Sequence, residues 1–177
     1  MIKTKKFASA VAFACAALAS QAALAEDISN PIAPVELTDN AGFFGRLITG
    51  NHRDDTFADQ YSFDVASGSS IVADLFSYSG NPKNGLDITG FSLFNADGTL
   101  VSAGTQLETG ATDQWRLTTG ALSGSGYYLQ VEGKVLSQAA GAYAAALAVS
   151  PVPEPATYGM MLGGLALMGV VARRRKA

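Results

Sequence analysis

The residues best suited to chemistry lie in an acidic stretch that begins at His52. His52 is the only histidine of the chain, so a serine triad or a histidine-based metal site would have to use it. Three carboxylates, Asp54, Asp55 and Asp59, could supply oxygen ligands to a hard cation such as Ca²⁺. Asp59 and Asp64 would face opposite sides of one continuous strand, so a site that joins them to Asp54 or Asp55 requires a bend. We therefore expect no metal site, and calcium is the one cofactor left open.

The sequence favours a protein that is not an enzyme. It contains no Gly-x-Ser-x-Gly elbow, no His-Glu-x-x-His pair and no phosphate-binding glycine loop. Cys15 is the only cysteine, so the chain beyond it can form neither a disulfide nor a thiolate zinc site. We expect no catalytic residues.

The charge distribution argues against nucleic-acid binding. Residues 26–153 include 5 basic and 14 acidic side chains, which gives this part of the chain a net charge of −9. Such a field repels phosphates and offers no positive stripe that could release counterions. Divalent cations, a cationic partner or simple solubility remain as explanations for the acidic balance.

The elements that must position these residues read as short strands. Alternating apolar and polar residues, separated by Gly, Ser, Asn and Asp turns, predict about eight to nine strands in one domain over residues 26–150. The expected strands are 35–38, 43–49, 61–65, 70–78, 86–89, 91–94, 115–118, 127–131 and 142–149. Asp97-Gly98 predicts a hairpin turn. The fold class is therefore all-β, an antiparallel β-sandwich or jelly-roll-like domain.

The last predicted strand is also the most ambiguous element. Residues 139–148 are so rich in alanine that propensity alone favours a helix. However, Gly141 interrupts the segment, and Tyr143, Leu147 and Val149 fall on one side of an alternating pattern. We therefore predict a strand.

Aromatic residues suggest two different roles. Phe57, Tyr61 and Phe63 would share one strand face and pack in the core, with Asp59 capping or hydrogen-bonding a neighbouring loop. Alternatively, exposed rings would form a sugar-stacking platform, as in carbohydrate-binding β-sandwiches. The candidates for that platform are Tyr61, Tyr78, Trp115, Tyr127 and Tyr128.

The N-terminal residues predict a signal peptide. Lys3, Lys5 and Lys6 precede an uncharged, alanine-rich stretch over residues 7–19, which is too short to span a hydrocarbon core. The small residues Ala23 and Ala25 suit a signal peptidase. We expect an N-terminal signal helix over residues 1–25 and cleavage between Ala25 and Glu26, with signal peptidase as a processing partner.

The C-terminal residues predict a membrane-spanning helix over residues 156–172. That stretch carries no charge and runs into a basic cluster formed by Arg173, Arg174, Arg175 and Lys176. Because positive residues stay cytoplasmic, the cluster would stop transfer and hold the preceding domain outside. The helix would therefore anchor the chain in a membrane, with the β-sandwich outside the cytoplasm.

Pro153, Glu154 and Pro155 stand directly before the predicted helix. A Pro-Glu-Pro followed by a minimal helix, a basic stop and the end of the sequence resembles the PEP-CTERM sorting signal of Gram-negative bacteria; the resemblance covers residues 152–177. Phe57, Asp59, Tyr61 and Phe63 also resemble the Phe-x-Asp-x-Phe signature of one group of these proteins, with Tyr61 where that pattern has Phe. Residues 126–133, Gly-Tyr-Tyr-Leu-Gln-Val-Glu-Gly, are similar to a late strand of the same proteins.

The resemblance implies a cellular destination for the protein and not a catalytic activity. It implies an intermediate that is anchored in the inner membrane with its β-sandwich in the periplasm. It also implies that an exosortase cleaves near the Pro-Glu-Pro and releases the protein to the cell surface or an extracellular matrix. We therefore predict a structural or adhesive protein of an exopolysaccharide or biofilm. Two alternatives are a carbohydrate- or calcium-binding module and a permanently membrane-anchored surface protein.

Overall fold

Two β-sheets form the body of the protein. A computed structural model describes residues 25–151 and 155–174; of the signal helix predicted over residues 1–25, residues 1–24 lie outside these ranges. The strands are β1 (Ala33–Pro34), β2 (Ala41–Ile48), β3 (Thr56–Asp64), β4 (Ser69–Tyr78), β5 (Leu86–Asn95), β6 (Leu100–Ala103), β7 (Thr105–Glu108), β8 (Thr112–Thr118), β9 (Gly126–Val135) and β10 (Gly141–Pro151). The helix α1 (Pro155–Arg174) follows.

The two sheets contain five strands each. Sheet A has the order β1-β3-β9-β5-β6, and sheet B has the order β2-β10-β4-β8-β7. Neighbouring strands are antiparallel except β1 and β3, which are parallel. The inward faces of both sheets meet in one apolar core. The predicted all-β, sandwich-like architecture is thus confirmed.

β10 shows how alternation prevails over helix propensity. Its inward residues Tyr143, Ala145, Leu147 and Val149 are buried, whereas the alanines between them are exposed. β2 pairs with one side of the strand and β4 with the other. Burial of one face against the core outweighs the helix preference of alanine, so the predicted strand is confirmed.

The Asp97-Gly98 hairpin is confirmed as the turn between β5 and β6. Gly98 has φ +85°, a left-handed conformation that glycine adopts without steric cost. Its N–H donates to the carbonyl of Asn95 at 3.0 Å, and Asn95 N–H donates to Thr99 O at 3.0 Å. The strands predicted at 86–89 and 91–94 are one strand, β5, with an irregular register between Ile88 and Gly90.

The prediction of a strand at 35–38 is wrong, because the backbone pairs with β3 earlier in the sequence, at Ala33 and Pro34. Residues 26–35, the N-terminal segment, run parallel to β3 and cover its outer edge. Val35 N–H donates to Ser62 O at 2.8 Å and ends this pairing. Pro34 belongs to β1 because an edge strand tolerates a residue without an N–H.

Gly104 is the corner at which the chain leaves sheet A for sheet B. It separates β6 from β7, and its N–H donates to Phe91 O at 2.7 Å. A Cβ at this position would lie 2.8 Å from that same oxygen. The close approach of the two sheets therefore requires glycine here.

The C-terminal helix covers the segment that was predicted to span a membrane. Its side chains at 158–169 and at 173 are exposed. Within the described ranges, no helix is both long and apolar enough to cross a bilayer. The predicted transmembrane helix over 156–172 is therefore not supported.

Gly133 of β9 is expected to tolerate no side chain. A Cβ there would lie 2.5 Å from Phe57 Cζ and 2.8 Å from the Asp87 carbonyl oxygen, so β5 would have to move. We expect Gly133→Val to lower the free energy of unfolding by about 1–3 kcal/mol or more, measured by urea denaturation. Gly120→Val is the matched control, because nothing lies within 4 Å of a Cβ at Gly120. Equal effects of the two substitutions would contradict this reading.

Candidate functional site

The predicted sorting signal begins where the β-sandwich ends. β10 ends at Pro151 and α1 begins at Pro155, so the predicted signal follows the last strand directly in sequence. Pro153 and Glu154 lie outside the described residues, and Pro155 is the first helical residue. Proline suits that position because its missing N–H would have no partner in the first turn of a helix.

The predicted basic stop lies at the other end of α1. Arg173 is exposed in the last turn and Arg174 is the last helical residue, whereas Arg175 and Lys176 lie outside the described ranges. Cations near a helix C-terminus are favourable because they oppose its negative partial charge.

Backbone pairing with β3 begins close to the predicted signal cleavage site. Ala25 and Glu26 are exposed, and Ala23 lies outside the described residues. Glu26 N–H donates to Asp55 Oδ1 at 2.9 Å, and Glu26 O accepts from Thr56 N–H at 2.9 Å. The bond from Glu26 is the main reason that the pKa of Asp55 lies below its ordinary value. The cleavage site itself stays a prediction.

The family-motif residues lie on the inward face of β3. Phe57, Asp59, Tyr61 and Phe63 alternate with exposed or partly exposed residues and are all buried. Asp59 is unusual among them, because an ionised carboxylate is costly to bury without partners. It is 1% exposed.

Asp59 accepts three strong hydrogen bonds. Oδ1 accepts from Arg46 Nη1 at 2.7 Å and from Asn30 N–H at 2.8 Å, and Oδ2 accepts from the Tyr143 hydroxyl at 2.5 Å. Arg46 comes from β2 and Tyr143 from β10, both in sheet B, while Asp59 belongs to sheet A. Asn30 belongs to the N-terminal segment. We call these four residues the Asp59 cluster; it ties the two sheets and the N-terminal segment together.

The partners of Asp59 are themselves anchored. Arg46 Nη2 donates to Ile28 O at 2.8 Å, and the hydroxyls of Tyr143 and Tyr61 lie 2.8 Å apart. The Phe57 ring stacks on Tyr143 with centroids 5.8 Å apart. Burial, and then the bond to Asp59, raise the pKa of the Tyr143 hydroxyl, so it stays protonated and donates. The cluster is a fully bonded structural clamp.

Part of this cluster was predicted from the sequence. Asp59 was expected to hydrogen-bond a neighbouring loop, as it does through Asn30, whereas its partners Arg46 and Tyr143 were not predicted. The alternation in β2 could have indicated Arg46. Arg46 lies between exposed residues and on the same face of the strand as the buried Ile48. A cation on the inward face of a strand indicates a buried acidic partner.

The candidate calcium ligands do not come together. Asp59 lies inside the sandwich with Arg46, whereas Asp54 pairs with Lys134 at 3.0 Å and Asp55 with His52 at 3.1 Å. Among the described residues, no three acidic, histidine or cysteine side chains are placed to hold a metal ion. Each of these carboxylates has a protein cation or imidazole as its partner.

The five rings proposed as a sugar platform are also dispersed. Tyr61 and Tyr127 are buried, and Trp115 packs against the core with Nε1 donating to Ile88 O at 3.3 Å. Tyr78 is 67% exposed at the end of β4. Tyr128 lies on the outer face of sheet A, stacked on Phe94. The five candidate rings therefore do not share one surface, because the pleat sends alternate side chains of a strand to opposite faces.

The outer face of sheet B carries an exposed apolar strip. Phe43 and Leu47 of β2 lie on one side of the exposed alanines of β10, and Phe76 of β4 lies on the other. Phe43 is 79% exposed. Contiguous apolar patches of this kind mark surfaces that contact other molecules.

Comparison with known proteins identifies the tail. Residues 151–176 match the family of the PEP-CTERM protein-sorting motif. The match leaves the β-sandwich outside it, and it does not bear on the Phe-x-Asp-x-Phe group. No curated protein matches the chain.

Solved structures with a similar arrangement are distant. PliG of Aeromonas hydrophila, a periplasmic inhibitor of g-type lysozyme, aligns at 15% identity over 70% of this chain and 99% of its own, with a TM-score of 0.42. The pre-peptidase C-terminal domain of a Bacillus anthracis collagenase aligns at 17% identity over 70% and 96%, with a TM-score of 0.37. The Yersinia pseudotuberculosis-derived mitogen aligns at 10% identity over 66% and 91%, with a TM-score of 0.35. These likenesses assign no function to this chain.

Proposed function

We propose that this chain is an exported protein that an exosortase processes at its C-terminal sorting signal. The match of residues 151–176 to the PEP-CTERM protein-sorting motif carries this proposal. The position of the motif supports it, because β10, the last described strand, ends at Pro151, two residues before the Pro-Glu-Pro begins. Removing the tail beyond the Pro-Glu-Pro would therefore leave every described strand in place.

The β-sandwich then acts structurally or adhesively at the cell surface or in an exopolysaccharide matrix, without catalysis. Within the described ranges, the two fully buried carboxylates have structural partners: Asp59 has the Asp59 cluster, and Asp113 accepts from Ile88 N–H at 3.2 Å and Gly110 N–H at 3.4 Å. The exposed apolar strip on sheet B supports an adhesive role.

Intact mass spectrometry of the protein from a native host's envelope and medium tests processing. We expect a species that starts at Glu26 and ends near Pro153 to Pro155, because cleavage at both predicted sites leaves only the β-sandwich. A mature species that retains Arg173 to Ala177 would contradict exosortase processing. A species that retains residues 1–25 would contradict export through a cleaved signal.

A further inference from the structure

An open cleft lies on the outer face of sheet A. The N-terminal segment and the residues that follow it form one wall, the outward side chains of β3 and β9 form the floor, and the Asp97-Gly98 turn forms the other wall. Its volume is about 710 Å³, within the roughly 300–1,000 Å³ range of ligand sites. We call it the sheet-A cleft.

An aromatic ring lies in this cleft in a fixed orientation. Tyr128 is partly exposed and stacks on Phe94, with ring centroids 5.2 Å apart and planes 11° apart. Gly98 lies beside it, and a Cβ there would be 3.9 Å from the Tyr128 hydroxyl. A tyrosine held this way offers an apolar ring and a polar tip to a ligand.

The polar groups of the cleft are neutral or acidic. Gln60 lies on the floor, where its amide nitrogen donates to Gln130 Oε1 at 3.0 Å. Its amide oxygen is a further hydrogen-bond acceptor. Glu36, Asp64 and Asp97 line the walls and the floor. Hydrogen bonds from Thr99 hold the pKa of Asp97 below its ordinary value, so its carboxylate stays ionised.

The described residues that line the cleft include no lysine or arginine, so no positive side chain among them balances these carboxylates. Four of the five cations between residues 26 and 153 pair with acids elsewhere: Arg46 with Asp59, Arg53 and Lys134 with Asp54, and Arg116 with Asp74. The cleft therefore repels anionic polymers and attracts cations.

We propose that the sheet-A cleft binds a cationic amino-sugar chain, that is, a polysaccharide with unacetylated glucosamine units. The apolar face of a sugar ring would pack on Tyr128, its hydroxyls would bond Gln60, and its ammonium groups would face Glu36 and Asp64. Uronic-acid polymers are disfavoured by like charge. This inference rests on the proposed location of the protein in a polysaccharide matrix and names the ligand of its β-sandwich.

Calorimetric titration of the purified full chain tests the inference. The probe is a β-linked glucosamine hexamer, compared with its N-acetylated form, a uronic-acid hexamer and a lysine hexamer. We expect the glucosamine hexamer to bind, the N-acetylated and lysine hexamers to bind about tenfold more weakly or less, and the uronic-acid hexamer not to bind. Added salt should weaken the glucosamine interaction.

Variants distinguish the contribution of the Tyr128 ring to binding from that of the carboxylates. Tyr128→Ala is expected to weaken binding about tenfold. The double variant Glu36→Gln, Asp64→Asn, which keeps side-chain size, is expected to lose most of the salt dependence. The controls are Tyr78→Ala and Glu108→Gln, an exposed ring and an exposed carboxylate on sheet B, and both should bind like the parent.

Three results would overturn the inference. These are a flat titration with the glucosamine hexamer, equal binding of the lysine hexamer, and equal losses in the cleft and control variants. None of them would change the masses expected for an exported and processed chain. Failure of this inference is therefore distinguishable from failure of the proposed function.

Discussion

Replacing Asp59 by alanine is expected to destabilise the β-sandwich by about 3–5 kcal/mol, because the guanidinium of Arg46, whose side chain is only 15% exposed, then lacks a counter-ion. The Tyr143 hydroxyl and the Asn30 N–H also lose their acceptor. Since domains of this size are stable by roughly 5–15 kcal/mol, the loss is a large share of the total. Urea denaturation of the full chain, followed by tryptophan fluorescence, measures it.

Asp74→Ala is the matched control for this experiment. Asp74 also binds an arginine, with Arg116 Nε at 2.7 Å and Nη2 at 3.1 Å, but both side chains are substantially exposed. Water replaces a lost partner at such a site, so we expect little change in the urea midpoint. If Asp59→Ala and Asp74→Ala shifted the midpoint equally, the clamp role of the Asp59 cluster would be wrong.

Replacing Pro153, Glu154 and Pro155 together by alanine is expected to abolish tail removal. Each proline fixes its own φ and disfavours helix in the residue before it, and alanine removes both restrictions. Alanine is the best helix former and would favour extension of α1 toward β10. Mass spectrometry of the envelope fraction should then find a chain that starts at Glu26 and retains the tail.

Pro151→Ala tests whether any proline in this region has the same effect. Pro151 is the last residue of β10 and lies outside the Pro-Glu-Pro. We expect this variant to be processed like the parent. Normal processing of the triple-alanine variant would be inconsistent with recognition of the Pro-Glu-Pro.

Local pattern was sufficient to predict features whose determinants are close in sequence. The alternation in β10 and the Asp-Gly turn after β5 are of this kind, because burial of one face and a positive φ act over a few residues. The Pro-Glu-Pro and the uncharged segment after it were recognisable for the same reason.

Features that depend on long-range pairing were missed. The N-terminal segment pairs with β3 in a parallel ladder, and nothing within residues 33–38 specifies that partner. Arg46 and Asp59 meet only because β2 and β3 belong to different sheets that face each other. The sheet-A cleft likewise brings Glu36, Asp64 and Asp97 together through strand order.

The position of β10 has a mechanical consequence. This strand lies inside sheet B, paired along most of its length with β2 on one side and β4 on the other, and it leads directly into the tail. Tension on whatever follows Pro151 is directed along the strand axis, across hydrogen bonds that run perpendicular to it. Two ladders therefore bear the load in shear together and do not open one bond at a time. A tether attached at this end would pull on a strand that is held by a ladder on each side.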